Sequence, residues 1–172
     1  MAYVNAPHQN IAYIRTFCYN MWCMDMLRQA EPNDARNLFL WRNDPGTRRM
    51  SLQTGEITYE GHLRWFHSKL NDSDCYFYIL EHDRIPSGTI RLDRTEGGTF
   101  GLSYTIAPDK RGLGLGNTIL SLAVAAASHT DGIEKLTAEV KEDNLPSIRC
   151  FEKNSFIRIK EENGLYLYER SL

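Results

Sequence analysis

From residue 23 onward the apolar positions switch repeatedly between period two and a helical period, and turn-forming residues fall at the switches. MDMLRQA (24–30) reads as a first strand, and PNDARNLFLWRND after it reads as a helix, capped by Asn33 or Asp34 and ended by Pro45 and Gly46. Behind Thr58, a capping residue, Leu63, Phe66 and Leu70 recur at i, i+3 and i+7, which predicts a second helix over 58–70. Three strand-like runs follow, CYFYILE, GTIRLD and FGLSYTIA, joined by the turn-rich HDRIPS and RTEGG. A nearly all-apolar stretch over 117–129 predicts a helix buried on several sides. KLTAEVK is the next strand, and PSIRCFEKN is a short helix with its N-cap at Asn144 or nearby. FIRIKEE and GLYLYERS close the chain as a hairpin turned at Asn163 and Gly164.

This order fits one domain, and the 172 residues, 42% of them hydrophobic, are enough for a single real core. Residues 1–22 stand outside the alternating plan and are expected to form an N-terminal extension, with 23–172 as the domain. A formal net charge of −2 and scattered basic residues exclude a nucleic-acid stripe or a membrane-binding patch, so a small-molecule partner is expected. No apolar run approaches the roughly 20 residues of a spanning helix. Arg15 interrupts the apolar positions near the N-terminus and no basic leader precedes them, so a soluble, cytoplasmic protein is expected. Cys18, Cys23, Cys75 and Cys150 show neither CxxC nor His-rich spacing, which points to reduced, mostly core thiols and to no metal site.

The candidate chemistry starts at residues 106–116, IAPDKRGLGLG, an RxxGxG loop between a strand pattern and a helix pattern. Gly112, Gly114 and Gly116 leave backbone amides bare, and the following helix adds its unpaired amides and the positive end of its dipole, a cradle for an anion. A Walker loop would need a lysine after the last glycine, where Asn117 and Thr118 stand. A dinucleotide fingerprint would open the chain as GxGxxG, with an acidic residue about 20 positions on. A cosubstrate with a pyrophosphate in its middle is left, and coenzyme A fits.

Downstream lies VKEDNLPSIRCFEKNSF, and with IAPDKRGLGLG it carries a resemblance to the GCN5-related N-acetyltransferases over about residues 24–169. The resemblance implies an α/β (α+β) fold: a central mixed, mostly antiparallel twisted sheet of about seven strands, helices on both faces, and the family's strands 4 and 5 splayed apart. It implies that the pantetheine arm of acetyl-CoA lies in the gap and that the amine enters from the other side. Ile106 would pair its backbone with the pantetheine, and Arg111, Gly112, Leu113, Gly114, Leu115 and Gly116 would enclose the pyrophosphate, with Asn117 continuing that shell. Asn144 would reach the pantetheine or simply cap its helix, and Ser147 would lie near the adenosine phosphates. Phe151 replaces the tyrosine that many members use to protonate the leaving thiolate, so the acid must be water, another side chain, or absent. Phe156 takes the place of the family's closing aromatic, with Ser155 where glycine is usual. An amine attacks only when unprotonated, so a base is needed. Glu139 leads the candidates, against a plain solvent-facing role; Tyr104, against a core role, and Asp93 follow.

The segment WRNDPGTRRMSLQTGEITYEGHLRWF resembles a branch that acetylates amino sugars on nucleotide diphosphates in pseudaminic and related nonulosonic acid pathways. There Arg42 and His62 would contact a uracil or diphosphate group, and Trp65 would wall the deoxy face of a sugar. Each also has an ordinary structural role open to it: Arg42 at a helix end, His62 in a core, Trp65 in a core. WRND also resembles the start of the ribosomal-protein N-terminal acetyltransferase branch, so a protein α-amine or a small polyamine-like acceptor is the alternative. An acyl-CoA-binding module without catalysis is the alternative of another class. A homodimer is left open.

Overall fold

In a computed structural model, which describes residues 13–18 and 21–172 with side chains from residue 24 onward, the alternating runs pair into one eight-stranded sheet. The side chains of Arg15, Cys18 and Cys23 lie outside the described set. The strands are β1 (Tyr13–Cys18), β2 (Met21–Gln29), β3 (Cys75–His82), β4 (Ile85–Glu96), β5 (Thr99–Ile106), β6 (Lys135–Lys141), β7 (Ile157–Glu162) and β8 (Leu165–Ser171), in the spatial order β1-β2-β3-β4-β5-β6-β8-β7. The strand beyond the expected seven is β1, which pairs antiparallel with β2. All neighbours are antiparallel except β5 and β6.

Turns fall at the residues that tolerate them. Asp83 (φ 51°) and Arg84 (φ 65°) make the β3–β4 hairpin in two residues, so most of the turn expected over HDRIPS is strand. Asn163 (φ 53°) and Gly164 (φ 75°) turn the last hairpin at the expected place.

The first helical region departs from its sequence pattern. A 3-10 turn, Pro32–Asp34, precedes α1 (Ala35–Asn43), and Asp34 is not a side-chain cap. Its carboxylate instead accepts both terminal nitrogens of Arg28 at 2.7 Å and the Glu31 amide at 2.8 Å, because a guanidinium fork outcompetes a lone helix amide. Pro45 and Gly46 do not end the helical region but open α2 (Pro45–Met50), since proline suits a first helical position and Asp44 caps it from the Thr47 amide at 2.8 Å. The next helix, α3 (Tyr59–Leu70), begins at Thr58 as the pattern requires, with Gly61 N donating to Thr58 Oγ1 at 3.2 Å. Two more complete the set, α4 (Leu115–Ser128) and α5 (Leu145–Lys153).

Strand alternation sends side chains to two cores. On one face Leu27, Ile90, Phe100, Leu136 and Tyr168 pack under α4 and α5; on the other Phe77 and Ile79 meet Leu38, Trp41 and Phe66 of α1 and α3. The burial of α4 along most of its length accounts for its nearly continuous apolar sequence. No helix among the described residues is long and apolar enough to cross a membrane.

The sheet is not continuous along its whole length. β5 and β6 pair in parallel at Thr99–Lys135, Phe100–Leu136 and Gly101–Thr137, and beyond these positions the two strands separate. The break leaves the last half of β5 with one bare edge.

Candidate active site

The separated ends of β5 and β6 place the glycine loop, the N-terminal turn of α4 and the N-terminal turn of α5 around one gap. Gly112 (φ 81°) and Gly114 (φ 79°) take left-handed conformations that L side chains avoid, and a Cβ on either would meet nothing within 4 Å. Space beside them is open. The amides of Asn117 and Thr118 bond back to Gly114 O, at 3.0 and 3.4 Å, so the amides before them are those a helix N-terminus leaves for an anion. Leu113 is exposed, whereas Leu115 is buried in the core below. Gly116 is needed for a different reason: a Cβ there would lie 3.1 Å from Cys150 Sγ and 3.6 Å from Tyr104 Oη, so α4 and α5 approach each other at a bare backbone.

Arg111 does not point freely into the cradle. Its Nη2 donates to Asp44 Oδ2 at 2.7 Å and Thr47 Oγ1 at 2.6 Å, tying the loop to α2. On the other side of the gap, Lys141 at the end of β6 donates from Nζ to Arg49 O at 2.9 Å. α2 is thus fastened to the glycine loop that follows β5 and to the end of β6.

On the α4 and α5 side, Tyr104 Oη and Ser147 Oγ are 2.8 Å apart, and Asn144 Oδ1 accepts the Ser147 amide at 3.4 Å, the capping role its position suggests. Burial, then the neighbouring Cys150, pushes the Tyr104 phenol well above its ordinary pKa, with the Ser147 hydrogen bond opposing. A phenol held above its ordinary value stays protonated at neutral pH. Phe151 is buried, edge-on to Tyr104 and Phe156 and stacked on Tyr168. Ser155 takes φ 61°, which explains why glycine would be at home there. Asn154 Nδ2 reaches Asn117 Oδ1 at 3.0 Å and Cys150 O at 2.8 Å, bracing the end of α5 against the start of α4.

On the opposite face, Glu139 is exposed while its neighbours Ala138 and Val140 are buried beneath α5. Alternation therefore turns Glu139 toward the same side as Lys141 and α2. Asp93 belongs elsewhere: its register partner is Gly101, at the closed end of the β5–β6 pair. Burial would raise its pKa, but the Lys69 ammonium and Arg91 hold it below the ordinary carboxylate value, with contacts of 2.9 and 2.5 Å.

The three acceptor-side residues separate. Arg42 donates from Nη2 to Gln53 O at 2.6 Å, and burial with the nearby Arg48 charge lowers its pKa. His62 is only 3% exposed, with Nε2 2.9 Å from Ala35 O and its ring stacked on Phe66, so it belongs to the second core and is withdrawn from any substrate. A helical histidine at that spacing packs inward with Leu63 and Phe66. Trp65 is 39% exposed, with the Arg91 guanidinium 5.0 Å from its ring centroid and Phe77 edge-on. Asp44, Thr47 and Asn154 also hold the loop and helices in place, and the contacts that do so, to Arg111 and Asn117, span 37 to 67 positions and leave no local sequence signal.

A family model for the acetyltransferase (GNAT) domain matches residues 26–157. The chain belongs to the GNAT acetyltransferases. Among relatives of this GNAT protein, the acetyltransferase PseH of Campylobacter jejuni is 29% identical over 142 residues, which span 80% of this chain and 86% of that protein. The fold matches a spermidine N-acetyltransferase from Vibrio cholerae solved with CoA and spermine, with a TM-score of 0.77 at 15% identity, covering 86% of this chain and 95% of that one. It matches an aminoglycoside acetyltransferase solved with coenzyme A as well, at 0.73 and 20% identity, over 86% and 94%. The protein is accordingly an acetyl-CoA-dependent N-acetyltransferase.

Proposed function

We propose that this GNAT enzyme transfers the acetyl group of acetyl-CoA directly to the primary amine of a nucleotide-linked deoxyamino sugar in a ternary complex. The observation that carries the acetyl-CoA half is the separation of β5 from β6 beside the glycine loop, which leaves a bare strand edge next to an anion cradle. In this assignment the free edge up to Ile106 pairs with the pantetheine, and the amides of residues 112–116 face the pyrophosphate, with Asn117 and Asn144 at the margins. Arg111 lends charge from its Asp44 tether rather than a free fork. Ser147 lies beside Tyr104 at 2.8 Å, on the α5 side of the gap. Phe151 provides an apolar floor.

The acceptor half is supported by the likeness to PseH and by the placement of groups on the α2 side of the gap. Glu139, an exposed carboxylate on that side, takes the amine proton during attack. Arg42 faces the nucleotide diphosphate, and Trp65 stands farther out as an apolar wall.

The deciding assay mixes the protein with acetyl-CoA and a UDP-4-amino-dideoxy sugar and follows free thiol. Rapid release is expected. No release with that sugar but turnover of a ribosomal-protein N-terminal peptide or a polyamine would transfer the enzyme to those acceptors, and tight coenzyme A binding without turnover of any amine would leave a binding module. Glu139→Gln is expected to lower kcat by about 10²- to 10⁴-fold with the acetyl-CoA KM nearly unchanged, the range for loss of a positioned proton acceptor.

A further inference from the structure

The phenol of Tyr104 occupies the point where the free edge of β5, the first turn of α4 and the first turn of α5 converge. Leu102, Tyr104 and Ile106 share the face of β5 that packs under α4 and α5, and this part of β5 has already left β6. From α5, Ser147 meets the phenolic oxygen at 2.8 Å; from α4, Gly116 presents bare backbone, so no side chain of its own covers the hydroxyl. Phe151 stands edge-on to the same ring and has no proton to give.

We propose that Tyr104 is the acid that protonates the departing coenzyme A sulfur, with Ser147 orienting its hydroxyl and returning the proton. The proposal rests on the acetyl-CoA half of the function above and not on which amine is accepted. As the amine nitrogen bonds to the acetyl carbon, the carbon–sulfur bond breaks and its electron pair stays on sulfur. Tyr104 Oη gives its proton to that sulfur, so the free thiol leaves. The tyrosinate then takes a proton from solvent through Ser147 Oγ, which can accept or donate in this contact. The proton lost by the amine balances the one consumed. Burial keeps the phenol protonated until that moment. The groups facing it are Ser147 and Cys150 on α5, with Lys153 acting on Cys150, Gly116 on α4, and Ile90 opposite it on β4. Burial raises the Cys150 thiol too, so it brings no charge to the site at neutral pH.

The test is Tyr104→Phe, assayed with whichever amine the wild type turns over. Expected is a fall in kcat of about 10²-fold or more with the acetyl-CoA KM and coenzyme A Kd moving less than about threefold, since a positioned acid acts in the transition state. Adding Phe151→Tyr to that variant offers a phenol from α5 and is expected to recover at least about tenfold of the loss, which a packing role for Tyr104 would not allow. Ser147→Ala is expected to lower kcat by about tenfold with the acetyl-CoA KM moving less than about threefold, because the replacement proton then comes from water alone. An unchanged kcat in either single variant, or a loss of coenzyme A affinity parallel to the loss of kcat, overturns the assignment. A wild type that binds no coenzyme A overturns the function itself and the acid with it.

Discussion

Cys75 shows how one neighbourhood sets reactivity. Its thiol is pushed up to about 12, first by burial and then by the negative Asp93, and at pH 8 the thiolate that alkylating reagents need is nearly absent. A free thiol with the ordinary value of 9.0 has about a thousand times more thiolate at that pH, so iodoacetamide is expected to label native Cys75 about three orders of magnitude more slowly than the unfolded chain. Mass spectrometry of native and denatured samples checks this, and equal labelling would mean that Cys75 is not packed as described. The sequence pointed to mostly core cysteines, whereas Cys75 and Cys150 are only partly buried at the edge of the two cores. The need for glycine at positions 112 and 114 has a visible backbone reason, since both take left-handed conformations. The side His62 faces was legible in the sequence, since it stands four positions before Phe66 on the same helix, but its partner Ala35 O, 27 positions away, was not. Nor was the partner of Arg111, since Asp44 lies 67 positions away.

Among the elements, α2 was the least legible and joins the most parts of the site. A Pro-Gly pair after a helix ordinarily stops it, yet with Asp44 ahead as cap the same pair begins the next one. Asp44 uses one oxygen, Oδ2, for both the Thr47 amide and Arg111, so the cap of α2 and the anchor of the glycine loop are the same atom. Asp44→Ala is therefore expected to cost about 0.5–2 kcal/mol of stability as a lost cap and, unlike an ordinary cap, to raise the acetyl-CoA KM several-fold. Thr58→Ala is the matched control: it removes the cap of α3, which holds no part of the loop, and is expected to cost a similar amount of about 1 kcal/mol with KM unmoved. Urea denaturation and steady-state kinetics on the two variants separate the effects. Equal KM values would show that the Arg111 tether does not shape the cradle. Helices α3, α4 and α5, by contrast, could be read directly, because each combines a capping or glycine start with an apolar face that persists for its whole length.

At the level of the molecule, alternation alone foretold a meander and a closing hairpin but not where the sheet would part. Register between β5 and β6 depends on a crossover through α4 and on packing against α5, and no local pattern records it; the family resemblance supplied the splay. The parting has a measurable consequence. Past Gly101, β5 remains paired with β4 on one edge through Ile106, while the edge toward β6 has lost its ladder. Backbone groups alternate between the two edges, so within residues 102–106 the amides turned to β4 are held and those turned to the gap are not. Native-state hydrogen exchange of the free protein is expected to show this two-residue alternation, with fast and slow amides along one strand. Acetyl-CoA or coenzyme A, by pairing with the free edge, is expected to slow the fast set selectively and to leave Thr99, Phe100 and Gly101 unchanged. At a concentration of about 100 times Kd the bound form also gains about 2.7 kcal/mol against unfolding, which slows globally exchanging core amides by about a hundredfold. The strand-edge effect is distinguishable because it appears in amides that exchange without global unfolding. Uniform protection along β5 in the free protein, or slowing confined to the globally exchanging core, would show that the arm of the cosubstrate does not lie against this edge.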